Sequence, residues 1–413
     1  MMVIRFVSFA VVVGVVGACA AQDGRWEALP SLPEAVSNNA VTSVDHGDGT
    51  WTIYSFMGIR PPALGLAQAT LESRKLDWPG GVWEPIADAP ADSRGRAKIA
   101  ASAVTVAGEV YLIGGYSPAR NEITEKRLFR YNQDTDDYTE LAPVPFEVDD
   151  TVPAVYQDRY IYLISGWHGP ANDNIANVQL YDTHLDTWQQ CTPIPGPFDG
   201  LFGHTGGISG DTLLYCDGAV SNGGFLISDS FYTGVIDPND PTQIAWTKRP
   251  PHPGEPTYRA AAGQGTLDHG SVLIVGGTDN PYNTSGGGYD GNPSLPLHQV
   301  LAYTPDSDRW TVLHIAGDKP DTMDHRNLVR LGDGWAIVGG MTSPQHATAT
   351  CWMLTIEPCR ADLDEDGDTD GDDFQLWLDA FNAGEPAADQ NNDGNITPAD
   401  YSAFLAGARR GCL

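Results

Sequence analysis

The feature that most limits what this chain can fold into is a short apolar stretch that ends in a glycine and recurs six times. The final glycines are Gly58, Gly115, Gly166, Gly218, Gly277 and Gly340, spaced 57, 51, 52, 59 and 63 residues apart. An aromatic residue opens another short segment in each unit, at Trp26, Trp83, Tyr138, Trp188, Trp246 and Trp310. A unit of this length buries both its faces only by stacking on its neighbours. The sequence therefore predicts six stacked β-sheet units.

The order of the two signals predicts how the array closes. Trp26 comes before the first glycine signal, whereas only one more strand fits after Gly340, around residues 350–356. The last unit thus lacks an outer strand, and the first strand of the chain is left over. Pairing them removes two open sheet edges at once. We predict six four-stranded blades closed by the N-terminal strand.

These residues resemble the Kelch repeat, in which a glycine pair ends the second strand of a blade and an aromatic residue opens the fourth. The resemblance covers roughly residues 24–357 and implies an all-β fold, a six-bladed Kelch β-propeller. We assign residues 22–358 to this domain.

Residues just before the first strand of each blade should surround the central funnel, on the face that carries the long loops. They are Asn38, Asn39, Arg94, Arg96, Asp149, Asp150, His204, Tyr258, Arg259, His325 and Arg326. The candidate ligand-binding residues among them are Asn39, Arg94, Arg96, Asp150, His204, Arg259 and Arg326. Such a mixed ring suits a polar ligand, a hydroxyl-rich or acidic carbohydrate, or a protein. The alternative is that these residues pair with one another and only cap the propeller.

Secreted Kelch propellers of this size also resemble the bacterial sialic-acid mutarotases, a family that implies a glutamate after the fourth glycine signal. Residues 216–221 contain no glutamate, and their carboxylate is Asp217. Galactose oxidase carries Kelch repeats too, but the ten histidines here form no copper-ligand cluster. We expect non-catalytic binding, with a carbohydrate epimerase or mutarotase as the alternative and no catalytic residue assigned.

Two acidic loops of twelve residues lie near the C-terminus, at residues 362–373 and 389–400. Their oxygen-bearing side chains are Asp362, Asp364, Asp366, Asp368, Asp370 and Asp373, then Asp389, Asn391, Asp393, Asn395, Thr397 and Asp400. Gly367 and Gly394 occupy loop position 6, where a calcium loop turns sharply. Calcium prefers six to eight oxygen ligands. The pattern predicts two calcium ions.

Aspartate at position 12 and the duplication of the loop resemble type I dockerins, over residues 359–413. Each loop precedes an apolar helical stripe, Phe374, Trp377, Leu378 and Phe381 in one case and Tyr401, Phe404 and Leu405 in the other, and we expect the stripes to pack together. The resemblance implies a cohesin-like or cell-surface partner, and the alternative is a purely structural calcium-stabilised unit. Cys359 and Cys412 bracket this segment and are predicted to form a disulfide.

The N-terminus carries the pattern of an export signal. Arg5 precedes an apolar run at residues 6–16, and small residues follow at 18–20, which predicts a signal peptide over residues 1–21. Residues 16–19 also fit a lipoprotein box, which would leave Cys19 lipidated. We expect a secreted or cell-surface protein with no transmembrane span, because the apolar run is too short for one. The net charge of −31 argues against nucleic acid as a partner. The pairing of Cys191, Cys216 and Cys351 stays open.

Overall fold

The computed structural model describes residues 24–60, 68–118, 122–196, 200–263, 270–283, 287–316, 320–321, 323–342, 346–356, 360–364 and 369–410. Its main elements are six antiparallel sheets, which we call blades 1 to 6. The predicted signal peptide, Cys19, Cys359 and Cys412 lie outside the described residues, so the export signal and the disulfide stay predictions. None of the described helices is long and apolar enough to cross a membrane.

The blades follow one another in chain order, and five of them contain four consecutive strands. Blade 1 contains Ala40–Asp45, Trp51–Ile59, Ala69–Trp78 and Trp83–Ile86, and blade 2 contains Ser102–Val106, Glu109–Ile113, Leu128–Asn132 and Asp137–Leu141. Blade 3 contains Val152–Tyr156, Tyr160–Ile164, Val178–Asp182 and Thr187–Gln190, and blade 4 contains Thr205–Ser209, Thr212–Cys216, Phe231–Asp237 and Asp240–Arg249. Blade 5 contains Ala261–Ala262, Val272–Val275, Val300–Thr304 and Arg309–Val312. Two-stranded hairpins extend four of the loops after a second strand, namely Tyr116–Ser117 with Ile123–Thr124, Trp167–His168 with Asp173–Asn174, Ala219–Ser221 with Phe225–Ile227, and Met341–Thr342 with His346–Ala347.

Blade 6 confirms the predicted closure. Its strands are Val329–Leu331, Gly334–Val338 and Cys351–Ile356, and its outer strand is the N-terminal Gly24–Leu29. This strand pairs antiparallel with the third one, from Gly24 opposite Ile356 to Leu29 opposite Cys351. The short strand Ile315–Ala316 adds a parallel edge.

Six hydrophobic clusters lie between the blades, one at each interface. Blade 1 packs on blade 2, each later blade packs on the next, and blade 6 packs back on blade 1. The ring therefore has no open blade face, which is the condition for six such sheets to bury their apolar sides. Cys191, Cys216 and Cys351 are unpaired and buried in these interfaces.

The glycine signal has a conformational cause. In every blade the last two residues of the signal have φ between 48° and 134°, the left-handed side that glycine tolerates best. A Cβ atom on Gly115 would lie 2.6 Å from the carbonyl oxygen of Ile99, and one on Gly166 would lie 2.7 Å from that of Asp149. Glycine is needed because the chain passes here against the segment that begins the same blade.

The C-terminal part contains two helices, α1 (Gly371–Ala383) and α2 (Pro398–Arg410), with a 3-10 turn at Pro386–Ala388 between them. Their predicted stripes pack on each other, with ring centroids 5.5 Å apart for both Trp377–Phe404 and Trp377–Tyr401. Trp377 and Phe404 are buried in a small core of their own.

Candidate functional site

In each blade, one residue in the segment that precedes the first strand adopts the same left-handed conformation. These residues are Asn38, Ala100, Asp150, Gly203, Arg259 and Asp324, with φ between 49° and 68°. Backbone hydrogen bonds join several of them from blade to blade, such as Gly203 N–H to Asp150 O at 3.0 Å and Arg259 N–H to Gly203 O at 2.7 Å. The six positions therefore follow one another around the ring of blades.

Five buried side chains meet at this ring, and we call them the funnel cluster: Asn38, Asp150, Arg259, Asp324 and Arg326. Arg259 donates to Asp150 at 2.7 Å and to Asp324 at 3.1 Å. Arg326 makes an ion pair with Asp150 and donates to the amide oxygen of Asn38. Asn38 donates to Asp324 from its side chain at 2.6 Å and from its backbone at 2.9 Å. Two guanidinium groups thus pair with two carboxylates, and their mutual attraction offsets part of the free-energy cost of burying these charges.

Several donors in this region have no partner among the described residues. Among them are the hydroxyl of Tyr258, the Nε of Arg259 and the Nε of Arg326, each fully buried. Buried polar groups are normally satisfied, so each of these is an exception that needs an explanation.

Aromatic rings surround the same donors. The Arg259 guanidinium lies 4.8 Å from the ring of Tyr258 and 5.1 Å from the ring of Tyr282. Tyr289, in the long loop of blade 5, is 42% exposed and packs 4.3 Å from Phe225 of the blade 4 hairpin. Phe225 in turn packs on Phe202 and Trp167. The long loops therefore line this face with aromatic surface.

Asp149, the neighbour of ring residue Asp150, is a buried carboxyl of different character. It is 2% exposed and accepts a hydrogen bond from the Thr124 hydroxyl at 3.1 Å. Burial, followed by repulsion from Glu122, raises the pKa of Asp149 to about 8. At neutral pH this side chain is therefore mainly protonated and can donate a hydrogen bond.

The candidate residues of blade 2 do not occupy the ring position of their blade. Arg94 is exposed, and Arg96 donates to Asp92 at 2.7 Å and to Ser117 at 2.8 Å. The ring position of this blade is Ala100, which, like Gly203 of blade 4, adds no polar side chain to the ring. Arg94 and Arg96 were expected at the funnel, but they are not the ring residues of this blade. The reason is the register of the loop, because the chain reaches the ring four residues after Arg96.

Asn39 and His204 join neighbouring blades instead of reaching the cluster. The Asn39 amide donates to Val338 O of blade 6 at 3.2 Å, and the His204 Nε2 is 2.9 Å from Ile164 O of blade 3. Burial lowers the pKa of His204 to about 4, and it lowers that of His325 to about 4 as well. Both imidazoles are thus neutral at pH 7, and His204 donates to the carbonyl. The cluster brings together three of the seven candidates, Asp150, Arg259 and Arg326.

Asp324 is the cluster member that sequence reasoning missed. Asp150 and Arg259 each lie two residues before the first strand of their blade, which begins at Val152 and at Ala261. The first strand of blade 6 begins at Val329, so counting two residues back from it does not reach Asp324. The distance along the chain to the glycine signal does find it. Asp324 lies 16 residues before Gly340, and Arg259 lies 18 residues before Gly277.

The two acidic loops before α1 and α2 have matching internal geometry. Asp373 at loop position 12 accepts from the backbone of Asp364 at 3.2 Å and of Asp370 at 2.9 Å, positions 3 and 9. Asp400 accepts from the equivalent Asn391 at 3.2 Å and Thr397 at 2.7 Å. Both position-12 carboxylates are buried.

The donor set of these loops fits a hard cation. Oxygen atoms of Asp362, Asp364 and Asp373 all lie within 4.8 Å of one another. In the second loop, Asp389 accepts from the backbone of Asp393 at 3.1 Å and of Gly394 at 2.9 Å, which draws the turn around the first ligand position. Asp366 and Asp368 lie outside the described residues. Asp370 also caps α1, by accepting from Asp372 N–H at 2.7 Å.

Comparisons with known proteins agree with the propeller. No protein-family model matches the sequence. Over 252 residues, 58% of this chain and 24% of that protein, the sequence is 23% identical to beta-scruin of Limulus polyphemus. It is 31% identical to a Kelch repeat-containing protein of Dictyostelium discoideum over 90 residues, 20% of this chain and 12% of that protein. The chain thus matches a quarter or less of the length of these relatives.

A solved structure, that of YjhT, has the same architecture. It superposes with a TM-score of 0.61 over 80% of this chain and 97% of its own, at 16% sequence identity. At this identity the likeness concerns the fold alone. The six repeats, the closed ring of blades and the similarity to Kelch proteins together identify the chain, over the blades described above, as a six-bladed β-propeller of Kelch repeats.

Proposed function

We propose that the propeller binds a polar ligand, with carbohydrate as the favoured class, at the face above the funnel cluster. The observation that carries this proposal is the group of buried donors on Tyr258, Arg259 and Arg326 that have no partner within the described part of the chain. A ligand rich in hydroxyl or carboxylate oxygens supplies the acceptors that these groups lack.

Two further features favour a sugar. Aromatic rings such as Tyr289 and Phe225 offer flat apolar surface to the C–H face of a pyranose, while polar groups beside them fix its orientation. The carboxylates of the cluster already pair with arginine, and Asp149 is protonated at neutral pH. The site is therefore richer in donors than in free acceptors.

A carbohydrate mutarotase or epimerase is the second candidate, and Asp149 favours it. A carboxyl with a pKa near the working pH is suited to general acid catalysis, such as protonation of a ring oxygen. Asp217 is a weak substitute for the glutamate of the mutarotases, because its Oδ2 accepts hydrogen bonds from His252 and from Thr257. Those bonds hold the linker to blade 5.

A glycan array probed with the full-length protein, with calcium present, tests this proposal. We expect binding to one sugar class, and Tyr258→Phe should weaken it about tenfold because one hydrogen bond is lost while the charges stay paired. Tyr181→Phe is the matched control, since its hydroxyl bonds Asp186 in an outer turn. Anomer exchange by NMR that Asp149→Asn abolishes would favour the mutarotase, and binding to proteins with no glycan bound would contradict the carbohydrate proposal.

We also propose that residues 359–413 bind two calcium ions and act as a dockerin-like module on an exported chain. The matching geometry of Asp373 and Asp400 and the convergence of three carboxylates in the first loop support this. The module would attach the propeller to a cohesin-like protein or to the cell surface.

A further inference from the structure

Three residues of different chemistry meet between blades 4 and 5, outside the funnel cluster. Cys216 ends the second strand of blade 4, Asp217 follows it, and His252 lies in the linker to blade 5. One sulfur, oxygen or nitrogen atom from each lies within 4.8 Å of the other two. The residues are 0%, 1% and 7% exposed, and the His252 side chain alone is 2% exposed, so the group is almost closed to water.

Asp217 has one satisfied and one unsatisfied oxygen. Its Oδ2 accepts from His252 Nε2 at 2.8 Å and from the backbone and hydroxyl of Thr257 at 2.9 and 2.8 Å. Its Oδ1 is buried and has no hydrogen-bond partner among the described residues. Burying an unpaired carboxylate oxygen costs free energy of desolvation, and a bound cation would offset that cost. The hydrogen bonds to Oδ2 explain how the linker is held, but they leave Oδ1 unexplained.

We propose that Cys216, Asp217 and His252 bind a divalent transition-metal ion of the zinc type. Thiolate, imidazole and carboxylate are the three ligand types that zinc takes from proteins, whereas calcium and magnesium prefer oxygen alone. Three protein ligands leave a fourth coordination position for water.

Binding requires a defined movement of protons. The thiol of Cys216 must lose its proton to form the metal–sulfur bond, and this proton leaves to solvent. His252 Nδ1 accepts from Gly254 N–H at 3.1 Å, so the ring proton lies on Nε2 and is donated to Asp217. When Nε2 binds the ion, that proton moves to Nδ1 and the Gly254 N–H turns to water, which is feasible because Gly254 is only half-buried. Asp217 keeps both bonds from Thr257.

Cobalt(II) titration of the reduced full-length protein tests the site, because a cobalt–thiolate bond gives a charge-transfer absorption band. Excess calcium is present throughout to occupy the acidic loops. We expect a band that saturates at about one equivalent, with release of about one proton per ion. Zinc should then displace the cobalt and remove the band.

Matched variants assign the ligands. Cys216→Ser should abolish the band, and His252→Asn should weaken cobalt binding about tenfold or more. Cys191→Ser and Cys351→Ser should behave as the wild type, because these buried thiols have no such metal-ligating group around them within the described residues.

Absence of a band in the wild type, or a band that survives Cys216→Ser, would overturn the proposal. If Cys216→Ser does not fold, the comparison of wild type with His252→Asn decides: equal cobalt and zinc affinities in these two proteins would equally reject the site.

Discussion

Aspartates in left-handed turns repeat a single hydrogen-bond pattern around the propeller. Asp136 accepts from the hydroxyl of Tyr131 at 2.8 Å, and Asp186 accepts from that of Tyr181 at 2.7 Å. Each also accepts from a backbone N–H that follows the outer strand of the preceding blade, at 2.7 and 2.8 Å. Aspartate tolerates this backbone conformation better than most residues. Part of the acidity of the sequence therefore joins blades and is unrelated to metal binding.

Asp149 gives a prediction for the pH dependence of stability. Its folded-state pKa of about 8 exceeds the unfolded value of about 3.9, so the folded protein keeps a proton that the unfolded chain has lost. The stability due to this proton is complete below about pH 4 and is lost as the pH rises towards 8. Asp149→Asn cannot ionise, and it should gain at least about 1.4 kcal/mol relative to wild type between pH 5 and pH 8.

Urea unfolding at the two pH values measures this difference. Asp134→Asn, at an exposed turn position, is the matched control and should show the same offset at both. An offset for Asp149→Asn that does not change with pH would show that the carboxyl is ionised in the folded protein.

At the scale of elements, the N-terminal strand completes blade 6 across a long stretch of chain. Trp26 points into the interface between blades 5 and 6, with Leu354 and Trp335 in the same cluster. Neighbouring Glu27 is exposed. The alternation is that of a strand with one buried face, which fixes its register against the third strand of the blade.

Trp26→Ala should lower the free energy of unfolding of the propeller by about 3–5 kcal/mol, since it removes a large buried ring from the seam that closes the ring of blades. Glu27→Ala, one residue further on the exposed face of the same strand, should change it by less than about 0.5 kcal/mol. Denaturant unfolding followed by tryptophan-independent far-UV circular dichroism compares the two. Similar midpoints for both variants would mean that the strand contributes little to closure.

At the scale of the whole molecule, the two parts of the chain have different sources of stability. The propeller contains six apolar interfaces that close on themselves, whereas the C-terminal part has one small core around Trp377 and Phe404. A core of that size offsets little chain entropy in about 55 residues. Its loops also hold several carboxylates close together, which repel one another without a cation.

Residues 359–413 made alone are therefore expected to gain their helical structure only when calcium is supplied, because the free energy of binding becomes free energy of folding. Circular dichroism with calcium and with a chelator measures this. Asp362→Ala with Asp389→Ala should reproduce the effect of the chelator, while Asp379→Ala, which removes a carboxylate from the exposed side of α1, should not. A disulfide between Cys359 and Cys412 would lower the calcium concentration that is needed. Equal helicity with and without calcium would reject the calcium-dependent module.

The sequence alone predicted the six blades, their order and the closing strand. Each repeat is a local unit, and its glycines and aromatic residues are required by contacts within the blade and with the adjacent blade. The stripes on α1 and α2 were predictable for the same reason. The membership of the funnel cluster depended on tertiary structure. Its bonds join residues 109 positions apart, Arg259 to Asp150, and 286 apart, Asn38 to Asp324. Loop register put Ala100 where arginines were expected and added Asp324. Asn39 and His204 became links between blades, because their side chains bond to carbonyl oxygens of the adjacent blade, Val338 O and Ile164 O. Repetition determines where each blade begins and ends, but only the closed ring determines which side chains of distant blades face one another.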